Sequence, residues 1–194
     1  MLGVVLCGGA SLRMGRDKGL LSSADGAWAQ LMLEKLETLW IPVALSVNKS
    51  QFEQYATVFP HIELIVDNDA LPVKGPLAAV LSIHVKYPSE DLLVIACDMP
   101  LMDPGVLKEL YDNYLMFPGK DSFVFTNDGE PEPLCAIYSA KALSSIKDLL
   151  EAGKLARHSM KSMLGHLEIV RMPIPENRKP FFRNFNAHAD LNGL

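Results

Sequence analysis

The chain has 194 residues, 49% hydrophobic and 21% charged, which suits one globular α/β domain over 1–194 with a sizeable core. Eighteen basic against 23 acidic residues give a net charge of −5, the wrong sign for a duplex nucleic-acid binder, though a small anion needs only a local positive cluster. No apolar run is long enough to span a membrane or to serve as an export signal. Cys7, Cys97 and Cys135 lie far apart in apolar surroundings, which predicts buried reduced thiols in a cytoplasmic protein and no structural zinc.

Leu2–Cys7 reads as a buried strand that ends at Gly8–Gly9. From Trp28 to Trp40, the positions Trp28, Leu31, Met32, Leu36, Leu39 and Trp40 fall on one helical face. Val43–Val47 reads as a strand, Ser50–Thr57 as a short helix, Glu63–Val66 as a strand, and Pro76–Lys86 as a helix with proline in its first turn. Leu92–Cys97 is apolar on both faces, as the centre of a parallel sheet requires. A helix near Pro104–Met116 follows, then strands Ser122–Thr126 and Leu134–Tyr138 and a helix over Ala140–Glu151. His158–Leu164 reads as helix, Glu168–Met172 as strand and Ala187–Leu194 as a closing helical turn. The alternation predicts an α/β fold: an open, mostly parallel, twisted sheet with helices on both faces, whose ligands bind beyond the carboxyl ends of the strands.

The polar motifs fall at those ends. Residues 6–18 read LCGGASLRMGRDK: a strand running into Gly8, Gly9, Ser11, Arg13, Gly15 and Lys18. Glycines let backbone N–H groups approach a ligand, successive N–H groups make an anion-binding concavity, and Arg13 and Lys18 add charge for phosphates and a leaving pyrophosphate. The spacing matches neither GxxxxGK[ST] nor GxGxxG. Asp98 follows the most buried strand, and one such carboxylate suffices for Mg²⁺, which completes its shell with water and phosphate. Asn48 and Asp67 end the next two strands; a carboxylate there could accept from guanine N–H groups, and the amide could bond a carbonyl or ribose. Capping or turn roles are the alternative for both. No Ser/His/Asp arrangement supports covalent catalysis, and the five histidines show no metal-ligand spacing.

The stretch LCGGASLRMGRDKGLL closely resembles the signature of the molybdenum cofactor guanylyltransferases, approximately LAGGxSxRMGxDK. Related transferases of sugar phosphates and methylerythritol phosphate share the glycines, the RMG and the lysine, while Asp17–Lys18 followed by Gly-Leu-Leu is closer to the molybdopterin branch. The resemblance implies a Rossmann-like nucleotidyltransferase fold. It implies that Leu6, Cys7, Gly8, Gly9, Lys18, Asn48, Asp67, Gly75 and Asp98 line the nucleotide, that Arg13, Lys18 and Asp98 are catalytic, and that Asp98 holds Mg²⁺. GTP is then the donor and molybdopterin already carrying molybdenum the acceptor, with molybdoenzymes or other cofactor-biosynthesis proteins as further partners. Gly75–Pro76–Leu77–Ala78 resembles the family's GPLAG with Ala79 at its last glycine, and Glu132–Pro133–Leu134–Cys135–Ala136 resembles its acceptor-side strand. Phe182–Asn186 resembles a terminal F-x-N-x-N-T-P, so Asn184 and Asn186 would face the acceptor, with Ala187–His188 in place of Thr-Pro. Gly26–Gln30 (GAWAQ) departs from the usual Gly-x-Pro-Leu, and Cys7 from the usual alanine. Arg157 and Lys161 read as a solvated helix face with an acceptor contact as the alternative. The competing functions are cytidylyl transfer to the same cofactor, nucleotidyl transfer to a sugar phosphate, and non-catalytic nucleotide binding or cofactor carriage.

Overall fold

The computed structural model of the protein describes residues 1–8, 17–23 and 26–185. Arg13, Gly9, Asn186 and the expected turn over Ala187–Leu194 lie outside the described residues.

Nine strands and six α-helices are described: β1 (Leu2–Leu6), β2 (Ser22–Ser23), β3 (Gly26–Ala27), α1 (Trp28–Glu37), β4 (Val43–Val47), α2 (Phe52–Val58), β5 (Glu63–Val66), α3 (Pro76–Lys86), β6 (Leu92–Ala96), α4 (Pro104–Met116), β7 (Ser122–Asn127), β8 (Glu130–Tyr138), α5 (Ala140–Glu151), α6 (Met160–Leu164) and β9 (Ile169–Pro173). Two 3-10 helices, Lys18–Leu20 and Glu176–Phe182, were not legible in the apolar pattern. Seven strands form one sheet in the order β5-β4-β1-β6-β8-β7-β9. β5, β4, β1 and β6 run parallel, β8 is antiparallel to both its neighbours, and β9 is parallel to β7. The mostly parallel twisted sheet is therefore present, with one reversed strand inside it. β1 and β6 are buried along their whole length because helices cover both faces.

Alternation along the strands divides the core into two layers. Val5, Leu45 and Ile95 face α1, α2 and α4, where Met32, Leu36, Tyr55 and Leu107 meet them. Val4, Leu6 and Val94 face α3, α5 and α6, where Leu81, Leu143 and Met163 meet them. The helices begin where their sequences can satisfy exposed N–H groups. Asp103 accepts from Gly105 N at 2.8 Å, Ser139 from Ala142 N at 3.1 Å and Ser159 from Ser162 N at 3.2 Å.

Two boundaries correct the sequence reading. α1 stops at Glu37 rather than reaching Trp40, because Trp40 adopts a left-handed φ of 58° and its ring points into solvent at 95% exposure. β8 starts at Glu130, well before Leu134; its early prolines sit beside a register shift between Val124 and Thr126, where the ladder asks less of the backbone N–H. The three cysteines are buried and free, as expected. Among the described residues no helix is long and apolar enough to cross a membrane.

Candidate functional site

The parallel strands end in one row. Leu6 pairs with Ser46 and with Ala96, and Val47 pairs with Val66. Carried forward along these registers, Gly8, Asn48, Asp67 and Asp98 come level, on the sheet face that packs against α3 and α5. The ladder bonds continue past the strands: Cys7 N–H donates to Ser46 O at 2.8 Å, Cys97 N–H to Leu6 O at 3.1 Å and Asp67 N–H to Val47 O at 3.0 Å. β1, flanked by β4 on one side and β6 on the other, is the point where strand order reverses, the place where open α/β sheets bind ligands.

At the β6 end of the row, Lys18 Nζ lies 3.0 Å from Asp98 Oδ2, both side chains about one-fifth exposed. The exit of the glycine loop and the acidic strand end thus meet in a direct ion pair. Lys18 is aimed by its neighbour. Asp17 caps the 3-10 turn, accepting from Gly19 N at 3.0 Å, and also accepts from Tyr55 OH at 2.7 Å and from Gln51 Nε2. Gln51 Nε2 donates to Cys7 O at 3.0 Å as well, while its Oε1 accepts from Asn48 N at 2.9 Å. One buried amide therefore ties the ends of β1 and β4 to the residue that precedes Lys18. Burial pushes the Tyr55 hydroxyl far above its ordinary range, so it remains a donor at neutral pH. Neither Gln51 nor Tyr55 was singled out from the sequence; their spacing of four on the α2 face, just after the polar strand end at Asn48, was the available signal. Tyr55→Phe removes a bond to a charged acceptor and is expected to cost about 1.5–3 kcal/mol in urea unfolding at pH 7; an unchanged midpoint would mean that Asp17 does not depend on this contact.

At the other end of the row, Gly8 permits a close approach. A Cβ there would stand 3.3 Å from Asp67 Oδ2. Asp67 is half-buried and its Oδ1 is shielded from water; burial, offset in part by the Ser46 hydroxyl beside it, raises its carboxyl to about 6. Asn48 uses its Oδ1 to close the turn into α2, accepting from Ser50 N at 3.0 Å, Ser50 Oγ at 2.7 Å and Gln51 N at 3.1 Å. The capping alternative therefore describes its oxygen.

Other expected residues divide. Leu6 and Cys7 are buried, and Leu6 O, Cys7 N and Cys7 O are taken by Cys97 N, Ser46 O and Gln51 Nε2. Gly75 stands at the start of α3, where its φ of 70° explains the glycine, one loop beyond Asp67. Lys161 pairs with Glu130 at 2.8 Å on an exposed surface and Arg157 is exposed, matching the solvated-face reading. Asn184 is exposed, next to Phe185, whose N–H donates to Asp98 O at 2.9 Å; the terminal segment is thus brought to the Asp98 loop. The GAWAQ departure has a structural counterpart. Gly26–Ala27 pairs with Ser22–Ser23, and the fully buried Trp28 meets Phe185 edge to face with centroids 5.9 Å apart. Leu21, Trp28 and Phe185 form a small separate core that fastens the terminal segment to the start of α1.

This arrangement has known counterparts. A family model described as the MobA-like NTP transferase domain matches residues 3–169. Among solved structures, molybdopterin-guanine dinucleotide biosynthesis protein A from Archaeoglobus fulgidus is similar at 25% identity, with a TM-score of 0.80, over 100% of this chain and 96% of that one. CMP:2-keto-3-deoxy-manno-octonic acid synthetase complexed with CTP is similar at 13% identity and a TM-score of 0.72, over 99% of this chain and 95% of that one. A cytidylyltransferase from Leptospira borgpetersenii is similar at 14% identity and a TM-score of 0.63, over 89% and 76%. The last two share the fold. With the family match spanning most of its length, the chain belongs to the MobA-like NTP transferase family and is a nucleotidyltransferase.

Proposed function

We propose that the protein transfers GMP from GTP to molybdopterin carrying molybdenum, releasing pyrophosphate and forming the guanine dinucleotide cofactor, with the chain acting as one domain. The observation that carries this reading is the 3.0 Å approach of Lys18 to Asp98 at the mouth of the strand-end row. A phosphate oxygen of the acceptor attacks the α-phosphorus of GTP, a new P–O bond forms, the α–β anhydride bond breaks, and the electron pair leaves with pyrophosphate. The acceptor phosphate is already ionised near neutral pH, so no strong base is needed, and the work left to the protein is positioning and charge stabilisation. Lys18, held by Asp17, binds phosphate oxygens as negative charge moves to the leaving group; Arg13 and the glycine-loop N–H groups, Gly9 among them, share that role.

The donor set fits Mg²⁺. Asp98 turns one oxygen to a cation in the cleft, and among the described residues no group of three or more His, Cys, Asp or Glu side chains could hold a metal alone. One carboxylate suffices for an ion that completes its shell with water and substrate phosphate. Mg²⁺ bound there supplies Lewis-acid polarisation of the phosphate. Asn184 and Asn186 are the acceptor-side candidates, on the resemblance of this segment to the family's terminal pattern. Molybdoenzymes or other cofactor-biosynthesis proteins would take up the product.

Asp67 supports guanine over cytosine: its carboxylate can accept from the paired N1–H and N2–H of guanine, whereas cytosine offers a single amino group there. Affinity should then follow the Asp67 charge. With the carboxyl raised to about 6, the ionised form that accepts both bonds is present above that pH and is lost below it. Guanine-nucleotide affinity, expressed as the ratio of wild type to Asp67→Asn, should fall about tenfold per pH unit below this point and level off above it. A ratio flat from pH 5 to 8 would remove Asp67 from base recognition. The function itself is tested with Mg²⁺, each of the four NTPs, and either molybdenum-bearing molybdopterin or a sugar phosphate. GMP transfer to molybdopterin is expected. Preference for CTP, or for the sugar phosphate, would overturn the assignment.

A further inference from the structure

The turn that carries Asp67 lies beyond the end of β5, which stops at Val66, and its first residues, Asp67–Asn68–Asp69, are all polar. Two bonds from its backbone tie it to the fold. The Asp67 N–H donates to Val47 O at 3.0 Å, and the Asn68 N–H donates to Ser82 Oγ at 2.7 Å. Ser82 sits in α3, in a run from Leu77 to His84 that is buried throughout, and is itself 5% exposed. A hydroxyl in such surroundings is costly unless its donor and its acceptor are both used. Both are. Its O–H donates to Ala78 O, one turn back, at 2.6 Å, which leaves the lone pairs for Asn68. The Asp67 carboxylate is then framed by Gly8, where a Cβ would stand 3.3 Å from Oδ2, and by the wholly buried Ser46 hydroxyl.

We propose that Ser82 is a positioning residue for base recognition: its hydroxyl fixes the Asn68 peptide, and through it the direction in which the Asp67 carboxylate meets the guanine edge. The proposal rests on the base-recognition reading above and adds to it the residue that sets its geometry. The paired N1–H and N2–H donors are matched by a carboxylate lying in their plane, and a carboxylate on a free turn would have to be ordered on binding. With Val47 O on one side of Asp67 and Ser82 Oγ on the other, both flanking peptides are set before the base arrives. Ser46, the other hydroxyl here, acts on charge: it opposes the rise that burial imposes on the Asp67 carboxyl, while Asp69 adds to it.

The test measures equilibrium binding of GTP·Mg²⁺ and ITP·Mg²⁺, without acceptor, to wild type, Ser82→Ala, Ser82→Cys and Ser82→Thr. Inosine keeps N1–H and lacks the 2-amino group, so the GTP-to-ITP affinity ratio reports the second bond to Asp67. Wild type is expected to bind GTP about 10- to 100-fold more tightly than ITP. Ser82→Ala and the isosteric Ser82→Cys, whose thiol is a poor acceptor, should each lower that ratio about 5- to 20-fold. Ser82→Thr keeps the hydroxyl and should retain most of it. Ratios for Ser82→Ala and Ser82→Cys equal to that of wild type overturn the proposal. If wild type does not distinguish GTP from ITP, the base-recognition reading itself fails, and the positioning of Asp67 is then decided by the pH titration of its carboxyl ¹³C resonance in the free protein. A carboxylate released from its place gains water, so Ser82→Ala should move the midpoint from about 6 down toward the ordinary carboxylate range. That fall supports the positioning; an unmoved midpoint overturns it.

Discussion

Asp98→Asn is expected to lower nucleotide transfer by about 10³-fold, a loss near 4 kcal/mol of transition-state stabilisation. The substitution keeps size and hydrogen-bonding capacity but removes the charge that, in the proposed function, holds a cation against phosphate. Asp98 follows a strand buried along its whole length, and its backbone carbonyl is fastened by the Phe185 N–H, so its position is fixed. The loss should appear in kcat and remain at saturating GTP, because the missing interaction strengthens as charge moves to the leaving group. Raising Mg²⁺ should recover little of it. Asp98→Asn activity within about tenfold of wild type would show that the cation is held elsewhere.

Lys18→Ala has the second largest expected effect, a fall in kcat of about 10²- to 10³-fold, the range for deleting one preorganised positive donor from a transition-state anion. Preorganisation is the basis of the estimate. Asp17 accepts from Tyr55, Gln51 and Gly19, and this web fixes the peptide from which Lys18 reaches the cleft. Lys18→Arg should restore only a small part of the activity, since a longer planar group cannot place its charge where a compact ammonium stands. Because Lys18 and Asp98 are 3.0 Å apart and, in the proposed function, serve the same charge redistribution, their effects should not add. The double variant should be little slower than Asp98→Asn alone, as measured by single-turnover transfer from α-labelled GTP. Full additivity would indicate two independent roles.

The sheet was legible because its strands carry one-dimensional signals. Leu92–Ala96 is apolar at every position, and Gly8 and Asp98 follow their strands directly, so placement at the carboxyl edge required no knowledge of the other strands. The level row of Gly8, Asn48, Asp67 and Asp98 follows from the same reasoning once the parallel order is known. What could not be read depended on contacts distant in sequence. The Asp17–Gln51–Tyr55 web joins residues 34 and 38 positions apart, and no local pattern announces it. Trp28 looked like an unexplained departure from a family pattern until Phe185, from the far end of the chain, was found against it. α1 was read too long because Trp40 continues the apolar period while its backbone leaves the helix, a case of side-chain pattern outrunning backbone geometry. The start of β8 was hidden by prolines, which a regular ladder would reject and an irregular one accepts.

The proposed transfer requires that one cleft, between the glycine-loop exit and the end of β6, hold the triphosphate and its cation together. A crystal structure of the protein with Mg²⁺ and a non-hydrolysable GTP analogue tests it most directly. The expected result has Asp98 in the metal's shell, Lys18 moved onto a phosphate oxygen and the guanine edge against Asp67. A triphosphate bound on another face of the sheet, with Lys18 still paired to Asp98, would contradict it.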